Sequence, residues 1–358
     1  MSLLTLTRVG ARVDGRFHGA VQSRNYSGSP GCGSRCAWVL SSEPAVTLDF
    51  RQADWDAATI EDCRALVRLA VREDLERQQD WTTLALVGPD RHGAADLVAR
   101  QGGVAAGIQA AIVALDEMMA DVVLSQAVPD GQRIEAGALL GRLTGSVRDL
   151  LTCERIVLNL VGRLSGIATL ASEFVQAVSG TKARLYDTRK TTPGWRRLEK
   201  FAVRCGGART HRMGLYDAIL IKDNHLAQFA GPGEPPGDAA SRAIATVRSF
   251  LASDAALEQD PAAMILEIEV DSLEQLAAVL PQRPHIVLLD NMPLDMLRQA
   301  VALRDRVAPQ VELEASGGVR LSTVREIAET GVDRVSVGAL THSARSLDVG
   351  LDWHVARG

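Results

Sequence analysis

Cysteine is scarce in this sequence, with five residues among 358, at positions 32, 36, 63, 153 and 205. An odd and scattered set gives no disulfide framework of the kind that small secreted domains use, and it suits a reducing cytoplasm. Cys63, Cys153 and Cys205 fall in helical patterns, where we expect small core residues. Cys32 and Cys36 have no histidine near them in the sequence, which argues against a zinc site there.

Long hydrophobic runs and basic stripes are also missing. No run of about 18 uncharged apolar residues occurs, so no membrane span is expected. The net charge is −5, and no broad basic stripe points to nucleic acid as a partner. Apolar content of 46% and charged content of 23% are ordinary for a globular protein, and the length allows two domains with separate cores. We therefore expect a cytoplasmic protein that binds neither membrane nor nucleic acid.

Lysine is absent from residue 1 through residue 181. The segment 130–145 resembles the hairpin of lipoyl- and biotin-carrying domains, but those domains need a lysine at the turn, so we interpret this hairpin as architecture. The segment 1–46 is rich in Gly, Ser and Arg and has few acids. It lacks the sustained amphipathic pattern of a mitochondrial transit peptide, and we predict a disordered or extra N-terminal extension.

Hydrophobic periodicity predicts different architectures before and after residue 180. Upstream, the predicted helices are 57–76, 108–119 and 147–178, the last with a break at Gly162 or at Ser165 and Gly166, and the predicted strands are 84–87, 94–99, 121–128 and 138–143. Downstream, strands alternate with helices, which predicts parallel strands joined by crossover helices. Those strands are 183–186, 218–221, 264–270, 285–289, 311–315 and 334–337, with helices at 195–205, 272–280, 294–307 and 322–330. The Gly- and Pro-rich segment 231–237 is predicted as a surface insertion.

Charged residues and glycines stand where the downstream strands end. They are Asp187, Lys222, Glu269, Asp290, the run 316–318 and Gly338. The carboxyl ends of parallel strands form the active-site face of β/α barrels, so we expect these groups to meet in one pocket. The stretch 187–225 adds the cations Arg189, Lys190, His211 and Arg212. Such groups bind carboxylates and phosphates through charge-assisted hydrogen bonds, and the alternative is a solvated basic surface.

Alternation along two strands places several acids inside the predicted barrel. Glu267 and Glu269 share one face of their strand, and Glu312 and Glu314 share the same face of another. Buried carboxylates need cations or a metal beside them. Glu269 and Asp290 are each last on a strand, and we assign them to function. For the other three acids, an ion-pair network and a functional role are equal alternatives.

Two glycine-bearing strand ends predict an anion site. Ser316, Gly317 and Gly318 are expected to open a helix near residue 322, and Gly338 ends the last strand. Backbone N–H groups in glycine loops and at helix N-termini bind phosphates. Cations for carboxylates, acids for a divalent metal and amides for a phosphate together indicate an enzyme, and phosphoribosyl transfer fits this set.

Several motifs occur in an order that one protein family shares. They are CERIVLNLVGRLSGIAT at 153–169, TRKTTPG at 188–194, LIKDNH at 220–225, EIEVDSLEQL at 267–276, LLDN at 288–291, ASGG at 315–318 and VGALTHS at 337–343. From about residue 57 to the end, the chain resembles the quinolinate phosphoribosyltransferase family. The resemblance implies an α/β fold with an N-terminal open α/β sandwich domain and an incomplete β/α barrel of about seven strands. The sandwich is then 47–155, joined by the C-terminal segment 341–358, and the barrel is 156–340.

The resemblance also implies a reaction and its residues. Quinolinate and phosphoribosyl pyrophosphate would give nicotinate mononucleotide, pyrophosphate and CO2 with Mg2+, in de novo NAD biosynthesis. Quinolinate would be bound by the set Arg155, Arg189, Lys190, His211, Arg212 and Lys222, with Thr188 as a further substrate-binding residue. The 5′-phosphate would lie on Ser316, Gly317, Gly318, Val337, Gly338 and Ala339. Lys190, Lys222, Glu269 and Asp290 would be catalytic, and the last two would hold Mg2+, partly through the diphosphate.

The family further implies a homodimer with shared active sites, or a hexamer built as a trimer of such dimers, in which Arg155 comes from the neighbouring subunit. Two departures affect loop shape rather than charge: 206–212 reads GGARTHR where the family has GGGxNHR, and 76–80 replaces a Gly-rich loop.

Two alternatives to this function stay open. A weakened carboxylate pocket would favour a paralogue of the same fold with another acceptor, and loss of Glu269 or Asp290 would favour a non-catalytic binding module.

Overall fold

The structure, a computed structural model, describes residues 48–253 and 264–354. The predicted N-terminal extension at 1–46 and the Cys32–Cys36 pair lie outside the described residues.

The first part of the chain forms an antiparallel sheet with helices packed on it. The four-stranded sheet has the order β12-β1-β5-β3, and β2 pairs separately with β4. Its elements are α1 (Ala57–Leu75), α2 (Trp81–Leu86), β1 (His92–Ala99), β2 (Gly103–Val104), α3 (Ile108–Glu117), β3 (Val122–Ser125), β4 (Arg133–Ile134), β5 (Leu139–Ser146), α4 (Val147–Ala177) and, from the end of the chain, β12 (Val349–Trp353). The C-terminal strand thus returns to the sheet formed by the first part of the chain, where β12 pairs with β1.

Local sequence explains these elements. Strand β1 buries Ala95, Leu97 and Ala99 on one face, which is the period-two pattern of a sheet packed on one side. The predicted strand at 84–87 is wrong, because this segment belongs to helix α2. Asp80 caps that helix by accepting the backbone N–H of Thr83 at 3.0 Å, and this cap outweighs the β-prone composition.

Helix α4 is continuous, so the predicted break at Gly162 or Ser165 and Gly166 is wrong. The small residues serve packing instead. A Cβ at Gly166 would stand 1.9 Å from the carbonyl oxygen of Arg345, and one at Gly162 would stand 3.0 Å from that of Leu347. The returning C-terminal segment therefore crosses directly over the helix, and the glycines make the crossing possible.

By length and composition alone, α4 is also apolar enough to cross a membrane. However, 67% of its most apolar window is buried inside the protein, as in the core helix of a globular domain. Among the described residues, this helix is the one candidate, and it is weak evidence for a span.

The second part of the chain is an open β/α barrel. Six parallel strands follow the order β6-β11-β10-β9-β8-β7. The strands are β6 (Arg184–Tyr186), β7 (Ile219–Ile221), β8 (Leu266–Val270), β9 (Ile286–Asp290), β10 (Glu312–Ser316) and β11 (Arg334–Ser336). The helices are α5 (Arg196–Cys205), α6 (Asp223–Phe229), α7 (Pro236–Leu251), α8 (Leu273–Val279), α9 (Leu294–Val307), α10 (Val324–Glu329) and α11 (Ala339–His342). The predicted insertion at 231–237 is short, because α7 already begins at Pro236.

The seventh barrel position is a single bridge between Tyr186 and Arg209 rather than a strand. The reason is local. The backbone N–H of Thr210 donates to Gln52 Oε1 at 2.9 Å, and that of His211 donates to Asp187 Oδ1 at 2.8 Å. Side chains thus take the donors that a strand would offer to a neighbour, and the barrel stays open between β6 and β7.

The segment before α1 packs on the N-terminal ends of the barrel strands. Phe50 is buried with Tyr186, Ala218, Ile265 and Ile286. The predicted sandwich domain, 47–155, includes this segment, and its predicted boundary at 155 falls inside helix α4. The domain boundaries themselves stay a prediction.

The crossing at Gly166 yields a stability test. We expect Gly166→Ala to lower the free energy of unfolding by about 1–3 kcal/mol, because the new methyl group meets a backbone oxygen rather than a movable side chain. Gly88→Ala is the matched control, since a Cβ there has no atom within 4 Å. Chemical denaturation of both variants measures the difference, and equal stabilities would contradict the crossing.

Candidate functional site

A cleft of about 620 Å³ opens at the C-terminal ends of the barrel strands. It brings together most of the predicted site residues, namely Thr188, Arg189, Lys190, His211, Arg212, Lys222, Glu269, Asp290, Ser316, Gly317 and Gly318. The lining also includes Leu220, Leu288, Asn291, Glu314 and Ser336, none of which is among the predicted substrate-binding or catalytic residues. The sequence signal for Asn291 is its place in the LLDN motif, and for Ser336 it is its place near the end of the predicted strand 334–337.

A buried ion pair holds the two loops that carry the cations. Asp187 follows β6, and its Oδ1 accepts hydrogen bonds from Lys200 Nζ on α5 and from the backbone N–H of His211. Lys200 also donates to the carbonyl of His211 at 2.9 Å. Burial raises the pKa of Asp187 and lowers the pKa of Lys200, and the charge of each partner opposes the shift of the other. Each charge is therefore tolerable only while the other is present.

His211 sits at the floor of the cleft with both ring nitrogens engaged. Nδ1 accepts the backbone N–H of Arg212 at 2.7 Å, and Nε2 lies 3.1 Å from Glu267 and 3.5 Å from Glu314. Phe50 stacks on the ring at 4.1 Å between centroids. Although burial opposes it, the two carboxylates raise the pKa of His211 to about 10 and favour the doubly protonated ring. The Nδ1 contact requires a lone pair there, and this geometry places the ring proton on Nε2, 3.1 Å from Glu267 Oε2.

The acids predicted to lie inside the barrel have two kinds of partner. Glu312 contacts Arg184 and Arg334, while Glu267 and Glu314 face His211. Glu312 therefore has the arginine partners that the ion-pair alternative predicts, whereas Glu267 and Glu314 face an imidazole and their carboxylate oxygens have no hydrogen-bond partner among the described residues. His211, Glu267 and Glu314 lie close enough to share a metal ion, and the nearby charge of Arg334 favours the ionised form of both acids.

Arg189 and Arg212 give the cleft its unmatched positive charge. Arg212 is buried, and its Nη1 donates to the carbonyl of Ala218 at 3.1 Å. Burial lowers the pKa of Arg212, and the like charge of Arg189 lowers it further. Within the described part of the chain, the buried Nε of Arg189 has no hydrogen-bond partner. Two adjacent guanidinium groups in this state fit an anionic ligand with more than one acid group.

The acidic side of the cleft holds its two carboxylates differently. Glu269, near the end of β8, accepts a hydrogen bond from Lys222 Nζ at 2.5 Å. Asp290 ends β9, the neighbouring strand, and its Oδ2 accepts the side-chain N–H of Asn291 at 2.8 Å. Glu269 is therefore paired with a cation, whereas Asp290 is held by a neutral amide.

The glycine loop, residues 316–318, follows β10. Gly317 and Gly318 have φ angles of +94° and +60°, which favour glycine. The predicted helix near residue 322 begins only at Val324, so its N-terminus does not adjoin the loop. Any anion bound here would meet backbone N–H groups and side chains rather than the end of that helix.

Four predicted site residues lie outside the cleft lining: Arg155, Val337, Gly338 and Ala339. Gly338 packs beside Lys190, since a Cβ there would stand 3.0 Å from Lys190 Cδ. Val337 is buried. Arg155 lies on α4 in a separate hollow with Trp195 and Asp348. A single chain thus does not bring Arg155 to its own barrel cleft.

Fold and cleft together define a class of proteins in which an open β/α barrel presents cations, two carboxylates and a glycine loop at its strand ends. Residues 80–165 match the family model described as the N-terminal domain of quinolinate phosphoribosyl transferase, and residues 167–352 match that of its C-terminal domain. The chain belongs to the quinolinate phosphoribosyltransferase family.

Individual relatives agree with this family. The chain is 44% identical over 301 residues to a protein from Mycobacterium leprae named nicotinate-nucleotide pyrophosphorylase [carboxylating], a match that covers 84% of this chain and 98% of the relative. It is 35% identical to a mitochondrial quinolinate phosphoribosyltransferase [decarboxylating] from Nicotiana tabacum, covering 81% and 82%. The solved structure of the nicotinate-nucleotide pyrophosphorylase from Francisella tularensis aligns with a TM-score of 0.74 at 30% identity, covering 86% of this chain and 100% of that one.

The buried pair yields a second stability test. We expect Lys200→Met to lower the free energy of unfolding by about 3–5 kcal/mol, because Asp187 keeps a buried charge without its partner. Lys182→Met is the matched control, since Lys182 pairs with Asp333 at the surface, where such pairs contribute about 1 kcal/mol or less. Denaturation at neutral pH compares the two. Similar small losses would show that the Asp187–Lys200 pair does not hold the loops.

Proposed function

We propose that this protein transfers the phosphoribosyl group of phosphoribosyl pyrophosphate to quinolinate with decarboxylation, giving nicotinate mononucleotide, pyrophosphate and CO2 in de novo NAD biosynthesis. The observation that carries the proposal is one cleft in which the unmatched arginines Arg189 and Arg212 face the carboxylates Glu269 and Asp290 and the glycine loop. Membership of the family supports the same reaction.

The cationic half of the cleft suits quinolinate. Its two ring carboxylates would meet Arg189 and Arg212, with Lys190 and Lys222 beside them. Such a pocket favours a dicarboxylate over a monocarboxylate, because a single carboxylate leaves one guanidinium without a partner. The intact cation set argues against a paralogue with another acceptor, and the presence of both Glu269 and Asp290 argues against a non-catalytic module.

The acidic half suits Mg2+ and diphosphate. Magnesium is usually held by one or two carboxylates together with substrate phosphates, and Glu269 and Asp290 on neighbouring strands offer such oxygens. Since Glu269 is paired with Lys222, Asp290 would be the main protein ligand. When bound, the ion would neutralise charge on the leaving pyrophosphate.

The chain's own residues would orient the reacting groups. The bond between ribose C1′ and the pyrophosphate oxygen breaks, and a bond from C1′ to the quinolinate ring nitrogen forms, with Glu269 and Asp290 beside the positive centre. The resulting pyridinium withdraws electrons, so the carboxylate next to the nitrogen leaves as CO2 and its electron pair stays on the ring carbon. That carbon then takes a proton, and Lys190 or Lys222 would hold it at Nζ.

The proposed assembly is a homodimer, or a hexamer of three such dimers, located in the cytoplasm. Its support is the position of Arg155, which lies on α4 away from the cleft of its own chain. In a twofold dimer, each first domain would cover the barrel of the partner, and the same contact would occur twice.

The first functional prediction concerns the acceptor. We expect quinolinate to react and nicotinic acid to give at least about 100-fold lower kcat/KM, since an unpaired buried cation costs about 3–5 kcal/mol. Purified protein, phosphoribosyl pyrophosphate and Mg2+ are incubated with each acid, and nicotinate mononucleotide is quantified by chromatography. Comparable turnover of both acids would overturn the assignment.

The second functional prediction concerns shared sites. We expect Arg155→Ala and Lys222→Ala each to be nearly inactive alone. After co-refolding at equal amounts, half of the dimers are mixed and each holds one site with both residues intact, so about a quarter of wild-type activity returns. Mass spectrometry of the intact dimers verifies that mixing has occurred. Activity that stays at background in mixed dimers would place Arg155 within its own chain or outside the reaction.

A further inference from the structure

The geometry points to Asn291 as a positioning residue that aligns Asp290 and the glycine loop for phosphoribosyl pyrophosphate. This inference rests on the proposed function and deepens it, because it assigns a role on the pyrophosphate side of the cleft to a residue that the motif comparison leaves without one. Asn291 lines the cleft between Asp290 and Gly317.

The backbone of Asn291 joins two strand ends. Its φ angle is +54°, in the left-handed region that Asn tolerates better than most residues. Its N–H donates to the carbonyl of Ser316 at 2.9 Å. Ser316 is also the register partner of Asp290 across β9 and β10. This hydrogen bond ties the end of the carboxylate strand to the start of the glycine loop, and the left-handed turn follows it directly.

The side chain of Asn291 contacts both neighbours. Its Nδ2 donates to Asp290 Oδ2 at 2.8 Å. Its Oδ1 fills the space beside Gly317, where a Cβ would stand only 2.2 Å away. Glycine at 317 and the amide at 291 therefore depend on each other, and glycine alone at 291 would satisfy the backbone but not these contacts.

Because the side-chain amide of Asn291 is neutral, it leaves the negative charge of Asp290 uncompensated. Glu269 is neutralised by Lys222, but Asp290 is held in place by a group that carries no charge. Asn291 thus fixes the orientation of the Asp290 carboxylate while its negative charge stays available to a cation or to a positive reacting centre. An aspartate at 291 would replace the donor with a second anion at hydrogen-bond distance.

Three variants separate the backbone role from the side-chain role. Asn291→Gly keeps a residue suited to positive φ, Asn291→Asp keeps the shape and loses the donor, and Asn291→Ala loses both. We expect all three to lower kcat/KM for phosphoribosyl pyrophosphate by about 10- to 100-fold, the range for loss of a hydrogen bond to a charged group. The dissociation constant for quinolinate, measured by calorimetry without the second substrate, should change by less than about twofold.

The outcomes are distinct. Wild-type kinetics in Asn291→Gly would show that only the backbone conformation matters and would overturn the inference, and so would an equal loss of quinolinate affinity in that variant. Thermal unfolding of Asn291→Gly verifies that the fold is intact, and this variant carries the test if Asn291→Ala does not fold. A wild-type protein without turnover overturns the proposed function and this inference together, whereas an active wild type with an unaffected Gly variant overturns this inference alone.

Discussion

The buried pair of Asp187 and Lys200 is the contact on which the cleft depends. Two loops, one after β6 and one before β7, carry most of its cations, and neither has regular secondary structure of its own. One carboxylate at the end of β6 and one ammonium on α5 join them through the backbone of His211. Burying either charge without the other would be costly, so the ion pair as well as packing fixes the positions of the two loops. The loops can then hold arginines close together without an acid between them.

Charge is distributed through the barrel in two levels. At the N-terminal ends of the strands, Asp49 and Glu312 meet Arg334, and this level is balanced within the chain. Among the described residues, Arg189 and Arg212 at the C-terminal ends have no acidic partner at ion-pair distance, while Asp290 has only an amide. His211 stands between the levels, with its nitrogens directed into the protein. The unpaired arginines therefore lie where the cleft opens, so a protein of net charge −5 still presents positive charge to an anionic ligand there.

Much of the cleft could be predicted from strand ends and side-chain alternation. The six parallel strands lie within a residue or two of their predicted positions, because alternating apolar runs bounded by glycine and charge are a local signal. The continuity of α4 could not be predicted, since Gly166 is explained only by Arg345, which lies far along the chain. The surroundings of His211 Nε2 could not be predicted either, because Glu267 and Glu314 lie on two strands that the sequence does not place beside it. The helix around Thr83 was missed although its cause is local. Its N-terminal cap outweighs the β-prone composition of the segment.

Helix α4 links the two parts of the chain, and its position would let one helix contribute to two active sites in the proposed dimer. Arg163, in its second half, donates to the buried carboxylate of Glu199, which also accepts the backbone N–H of Thr192 in the cation loop. Arg155 lies about two turns earlier, roughly 12 Å along the axis, and is not part of the cleft lining. In the proposed dimer, one rigid helix would therefore support the cleft of its own chain through Arg163 and complete that of its neighbour through Arg155. Displacing the helix would disturb both sites at once, so the assembly would couple the integrity of one active site to that of the other.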